Sequence, residues 1–380
     1  MKSYISKMIR LGIILSIVLG AGYFLYVFNQ VDKPQLVNTE GRTFERASVV
    51  EIIQDNVQEN GSRIGDQVVS VRLSSGTHAG EIITANCPNG MLFGTVCRPG
   101  MDVIIISSRV GALHIFTVYN IDRSWPIALY IGIFLILLCL IGGKKGIKSA
   151  IALVFTFICF ILLFFPMIMK GIGPGIAAVI TSSLILTATI YLINGWTRKS
   201  CAAVLSSFGG ILTAAVAAVI FGYGASLSGY NVSNIEALIF VGQNSSIAVG
   251  QILFAGILFA SLGAVMDIAM DVSSAIEELR KHTPNLPPSV LFAAGMSVGR
   301  DVMGTMATTL ILAFFGGALG IWVLDYAYNL PFLQLINSND VGIQIMQGLS
   351  GSFGVIFTVP MAAALSAWLP RKNELLNGKQ

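Results

Sequence analysis

Pro126-Ile127-Ala128-Leu129-Tyr130-Ile131-Gly132-Ile133-Phe134-Leu135-Ile136-Leu137-Leu138-Cys139-Leu140-Ile141-Gly142 carries no charge, and Gly143-Lys144-Lys145-Gly146-Ile147-Lys148 follows it at once. A helix rising ~1.5 Å per residue needs roughly 20 apolar residues to cross a bilayer core. The run therefore reads as a spanning helix closed by a basic loop. Working outward, similar stretches occur at about 9–28, 149–169, 173–194, 201–223, 248–270, 303–325 and 342–369, eight with 126–142. The last is long enough to need tilt or a kink at Pro360. Composition agrees: of 380 residues 54% are hydrophobic and 11% charged, where a soluble domain carries about a quarter charged. A soluble enzyme and a disordered chain are both excluded. The fold class is a mainly α polytopic membrane protein.

The sign of the loops sets an orientation. With the N-terminus inside, the inner set holds fourteen Lys and Arg, from Lys2, Lys7 and Arg10 to Arg371, Lys372 and Lys379, whereas the short outer loops hold only Lys170. The positive-inside rule then predicts a multi-pass cell-membrane protein with both termini cytoplasmic. The basic residues form no single patch and the net charge is +4, so nucleic acid is not an expected partner. The run 9–28 follows a basic segment, but no Ala-x-Ala site follows it, so it reads as a signal anchor.

Residues 29–125 differ, holding 10 of the 19 acidic residues. Val69, Val71 and Leu73 alternate with Val68, Ser70 and Arg72. Similar runs cover Ala47–Ile53, Glu81–Asn86, Asp102–Ser107 and Leu113–Tyr119, parted by turn signals such as Ser75-Gly76 and Arg98-Pro99-Gly100. Five short strands predict a small all-β barrel, OB-like or SH3-like, since closure removes exposed edges. Three domains follow: a signal-anchor helix 1–28, an extracytoplasmic β domain 29–125 and a seven-helix membrane domain 126–380. Cys87 and Cys97 flank a turn in the exported domain, where a disulfide is permitted. His78, His114 and His282 are scattered, so no zinc set assembles, and no cofactor is expected.

Two pairs of helices match internally. Thr181-Ser182-Ser183-Leu184-Ile185-Leu186 resembles Ala307-Thr308-Thr309-Leu310-Ile311-Leu312, and Ser207-Phe208-Gly209, Ile211, Thr213 and Ala217-Ala218 align with Ser352-Phe353-Gly354, Ile356, Thr358 and Ala362-Ala363. Each pair would run in opposite directions. Two three-helix units of inverted topology, a 3+3 repeat, are one reading, the plan many secondary transporters use; chance matching among apolar segments is the other.

Charges then stand where lipid should exclude them. Asp267 and Asp271 lie four apart on one helical face beside Met266 and Met270, and a charge at a bilayer centre costs up to roughly 2.5–3.5 kcal/mol. Two carboxylates on one face repel unless a cation or proton lies between them. Oxygen donors suit Na⁺, H⁺ or a divalent cation. Gly299-Arg300-Asp301-Val302-Met303-Gly304-Thr305-Met306 stands opposite, running into Thr308 and Thr309. Gly299 and Gly304 predict a helix break, leaving 289–298 as a half-helix whose end points into a cavity. A structural Arg300–Asp301 anchor is the competing reading. Asp271–Lys281 reads as a separate amphipathic helix lying on the membrane surface.

Gly263-Ala264-Val265-Met266-Asp267, with Gly299-Arg300-Asp301-Val302-Met303-Gly304-Thr305-Met306 and Thr309-Leu310-Ile311-Leu312-Ala313, resembles the YibE/F-like family of bacterial multi-spanning membrane proteins. The similarity covers most of 126–369. The family commonly has Thr-Asn where this chain has Ala307-Thr308, and Ser where it has Asp271, which favours Asp267, Arg300 and Asp301 as the functional charges. The resemblance implies architecture rather than a reaction. The expected pocket comprises Asp267, Asp271, Arg300, Asp301, Thr305 and Thr309, with Ser182 and Ser183 facing them. The expected function is an ion- or proton-coupled transporter. The rival is a non-transporting envelope assembly or sensor protein whose β domain binds a protein or envelope partner. A hydrolase ranks third, because no Gly-x-Ser-x-Gly or His-Glu-x-x-His run accompanies the acids.

Overall fold

A computed structural model describes residues 22–23, 25–31, 41–58, 64–76, 78–88, 95–110, 113–232 and 235–369. It is mostly helical, 69%, with a small five-stranded β-barrel near the N-terminus. The chain divides into two units, Gln35–Leu137 and Met1–Pro34 with Leu138–Gln380. Most of the first expected span, 9–28, lies outside the described residues.

The first unit holds β1 (Arg42–Gln54), β2 (Gln67–Leu73), β3 (Ile82–Cys87), β4 (Asp102–Val110) and β5 (Leu113–Ile121), matching the alternating runs of the sequence to within a few residues. Every second side chain turns inward: Ala47, Val49, Val69, Val71, Leu73, Ala85, Cys87, Val103, Ile105 and Val118 make the core. The strands close in the order β1-β2-β3-β5-β4. All neighbours are antiparallel except β3 and β5, which run parallel through one pair, Asn86 and Thr117. Bulges between Val49 and Glu51 and between Ile52 and Gln54 let the long β1 bend around the barrel. Gly76, at φ +89°, leaves room for the buried Glu45 carboxylate, which a Cβ there would overlap.

From Ser124 onward the chain is helical. Helix α1 (Ser124–Cys159) continues through a π-helical turn, Phe160–Phe164, to Met169. It is followed by α2 (Pro174–Asn194), α3 (Arg198–Gly224), the short α4 (Ile235–Gln243), α5 (Ile252–His282), α6 (Pro288–Gly317), the short α7 (Leu319–Ala327) and α8 (Phe332–Ile336), and α9 (Asn339–Trp368). Among the described residues, six stretches are long and apolar enough to cross a membrane. The first, Ser124–Met169, is 46 residues long and is not straight. Gly143 has non-helical angles (φ 54°, ψ −134°), and a Cβ on Gly146 would overlap the Leu138 carbonyl. Residues 138 and 146 would stand about 12 Å apart in a straight helix, so the chain doubles back at Gly143. The two expected spans 126–142 and 149–169 fall on the two limbs.

Helix α5 is central, packing on α2, α3, α6 and α9. Its Val265, Ile268 and Ala269 are fully buried with Leu186, Ala203, Val355 and Val359. Small residues bring backbones close, as helix association in lipid requires. Gly210 lies against Thr358, Val265 and the Gly354 carbonyl, and Gly299 against Val359.

Three expectations are corrected. No break occurs at Gly299 or Gly304: α6 is one helix of 30 residues. Gly299 lacks a side chain because Val359 of α9 fills that space, and a 45 Å helix meets a ~30 Å core by tilting or projecting. The expected span 303–325 is accordingly displaced, ending at Gly317. Asp271–Lys281 is not a separate surface helix but the last turns of α5. Val272 and Ile276 are buried with Leu291 and Ala363, and buried Arg280 donates from Nη2 to the Ala367 carbonyl at 2.7 Å, satisfying the end of α9.

The arrangement of the matched helices does not establish the 3+3 repeat. Helices α3 and α9 cross at Gly210 and Gly354, one residue from the matched pair Gly209/Gly354, and α5 relates α2 and α6 in opposite directions. Its third pair is unequal, because α5 packs on four helices while the second limb of α1 makes few contacts, chiefly with α2.

Candidate functional site

Contacts along the helices fix the level of each side chain. Gly175 meets Gln251, and Asn194 Nδ2 donates to Met270 Sδ at 3.7 Å, so α2 and α5 run parallel in constant register. Gly295 meets Ile276, while Gly351 meets both Leu310 and Ser261, so α5 and α6 run antiparallel. These registers bring Asp271 level with Arg300, and Asp267 level with Gly304, to within about one turn. Thr305 is beside Met266 in height. The charges of the two motifs, about 30 residues apart in sequence, thus share one depth.

Asp267 and Asp271 are exposed on α5, in line with exposed Gly256 and Gly263. Arg300, Asp301, Thr305 and Thr309 are exposed on α6, the least buried of the six long helices. The inward faces explain this orientation: Val265, Ile268, Val272, Leu291, Gly295, Gly299 and Leu310 are buried, which turns the charged positions away from the core. Among the described residues the side chains of Asp267, Asp271, Arg300 and Asp301 make no hydrogen bond or ion pair; the ion pairs Arg46–Asp122, His78–Glu81, Lys281–Glu278 and His282–Glu278 lie elsewhere. The adjacent Arg300 and Asp301 therefore do not close the structural pair considered from sequence.

The threonines add acceptors. Thr305 Oγ1 donates to the Val302 carbonyl, Thr308 to Gly304 and Thr309 to Thr305, at 2.8, 2.9 and 2.8 Å. Their protons are committed within the helix, leaving hydroxyl lone pairs free to accept from a solute or ligate a cation. Among the described residues no three His, Cys, Asp or Glu are grouped to hold a metal ion, so the three carboxylates do not converge.

Ser182 and Ser183 are not beside this face. The α2–α5 register puts Ser182 level with Leu258, about 13 Å from Asp267 along the bundle at ~1.5 Å per residue. Ser182 is fully buried with no hydrogen-bond partner, whereas half-buried Ser183 donates back to Val179 at 2.6 Å. Two clefts of the bundle lie at that other end. One of about 620 Å³ is lined by Gly175, Gly222, Ser226, Gln251 and Phe254, and an adjoining one of about 430 Å³ continues past Ile180 and Leu258. The sequence reading missed them; Gly173, Gly175 and Gly222, which make room for Gln251 and the Phe254 ring, were the available signal.

A bundle of long apolar helices with a charged, unpaired face at one depth, preceded by a small β-barrel, defines a polytopic membrane protein. Residues 130–372 match the family model described as YibE/F-like protein, and the chain belongs to the YibE/F-like family. The match covers the helical region and not the barrel. No curated protein and no solved structure matches the chain.

Proposed function

We propose that the chain is an ion- or proton-coupled membrane transporter whose solute route runs along the face of α5 and α6 that bears Asp267, Asp271, Arg300 and Asp301. The observation that carries this reading is that four ionisable side chains share one depth and find no partner among the described residues. Lipid would make such groups costly, and a route wet from the cytoplasmic side removes that cost. The loop charges support an inside location for this end of the bundle, both termini in the cytoplasm, residues 29–125 outside and the cell membrane as the site. Asp267 is the better coupling group, because the family commonly has Ser where this chain has Asp271. Thr305 and Thr309 supply neutral acceptors along the same face.

Reconstituted into liposomes, the protein should move Na⁺ or protons down an imposed gradient, and Asp267→Asn should lower that flux at least tenfold. No flux of protons, Na⁺ or divalent cations above empty liposomes would overturn the reading. A second reading, a barrel that docks an envelope or protein partner, is favoured by exposed Phe44, Ile115 and Tyr119, the Phe44 and Tyr119 rings meeting edge-on at 5.5 Å. A cellular phenotype that follows deletion of 29–125 and survives Asp267→Asn would select it.

A further inference from the structure

The barrel closes by a weak seam. Among the described residues β3 and β5 share a single pair, Asn86 and Thr117, where every other junction is a ladder of at least six. Cys87, the last residue of β3, sits at that seam with its sulfur turned into the core, and is 1% exposed. Cys97 approaches from the β3–β4 connection and is equally buried. Its backbone N–H is fixed by the Gln67 side-chain carbonyl at 2.9 Å, and Gln67 Nε2 is held in turn by Asp55 at 2.8 Å. The two thiols lie 3.2 Å apart, Cys97 donating to Cys87.

We infer that Cys87 and Cys97 are joined by a disulfide when the β domain is exported, a clasp that ties the end of β3 to the β3–β4 connection at the barrel's thinnest junction. This inference rests on the extracytoplasmic location proposed above. The donated Cys97 proton holds the Cys87 thiol well below its ordinary range, to about 7, so Cys87 is the nucleophile. Cys97, whose proton is held by that hydrogen bond and by burial, stays a thiol until the second step. The oxidant is a protein or glutathione disulfide. The Cys87 thiolate attacks one donor sulfur, breaking the donor S–S bond and releasing one donor thiolate. Cys97 then gives up its proton and attacks the Cys87 sulfur of the mixed disulfide, expelling the second donor thiolate. Two protein thiols are oxidised and one donor disulfide is reduced, the protons passing to the donor thiolates.

The test uses the full chain. Protein extracted from membranes without reductant is denatured and treated with iodoacetamide; Cys87 and Cys97 should resist alkylation, and the proteolytic fragment carrying both should be two hydrogens lighter than after reduction. Protein reduced and then given oxidised glutathione should close again, and the reduced form should be cut between 88 and 101 about tenfold faster by a protease. Cys97→Ser should leave Cys87 open to alkylation. Exposed Thr84→Cys, labelled in intact cells by an impermeant maleimide, reads the location separately. Labelled Thr84→Cys with both native thiols free overturns the clasp. Unlabelled Thr84→Cys overturns the location instead, and reclosure by glutathione then decides the pair: thiols still free after oxidised glutathione overturn it in either case.

Discussion

At the residue scale the informative groups are those that pair and those that do not. Asp122 accepts from the Ser124 N–H at 2.9 Å and from its hydroxyl at 2.5 Å, opening α1, with Arg46 at 3.2 Å. The Ser124 hydrogen bonds, helped by Arg46, hold its carboxyl below the ordinary carboxylate range. A depressed acid stabilises the fold above the pKa it has when unfolded, about 3.9, and loses that contribution as pH falls through its lower folded value. The melting temperature of Asp122→Asn should therefore lie below that of the parent at about pH 6, and the gap should narrow toward about pH 3; a gap constant across that window would contradict this. Asp267, Asp271, Arg300 and Asp301 are the opposite case. Their residue types were legible in the sequence because charge in an apolar run is rare. Their common depth was not, because it depends on helix register, and the same register separates Ser182 and Ser183 from them.

At the element scale, what could be read was what periodicity encodes. The apolar runs marked the long helices, and the alternation Val69, Val71, Leu73 marked β2. Strand order escaped because the β3–β5 contact is a single pair with no signal of its own. Glycine is ambiguous by itself: Gly299 looked like a break and is a packing position, while Gly143, in the expected basic loop, is a reversal. The distinction is testable within α6. Gly299→Val would press on Val359 and should cost about 1–3 kcal/mol by overpacking. Gly304→Ala, with nothing within 4 Å, should be neutral or stabilise the helix by up to about 1 kcal/mol. Detergent-phase melting of both variants checks this, and equal losses would mean that Gly299 is not held by α9. Asp271–Lys281 was misread because an amphipathic stripe is the same whether it faces lipid or another helix; only Arg280 reaching Ala367 decides.

At the scale of the whole molecule, a bundle and a barrel are joined in one chain, and the transport reading places the chemistry in the bundle. Its central claim is that the α5–α6 face is wet. Single cysteines at Asp267 and Thr305, in a chain whose 5 native cysteines are replaced, can be exposed in liposomes to a charged, water-soluble thiosulfonate, with Leu212→Cys as the apolar-surface control, since Leu212 is 64% exposed on α3. The account predicts that positions 267 and 305 react at least tenfold faster than 212; reaction at all three as slow as at 212 would contradict it.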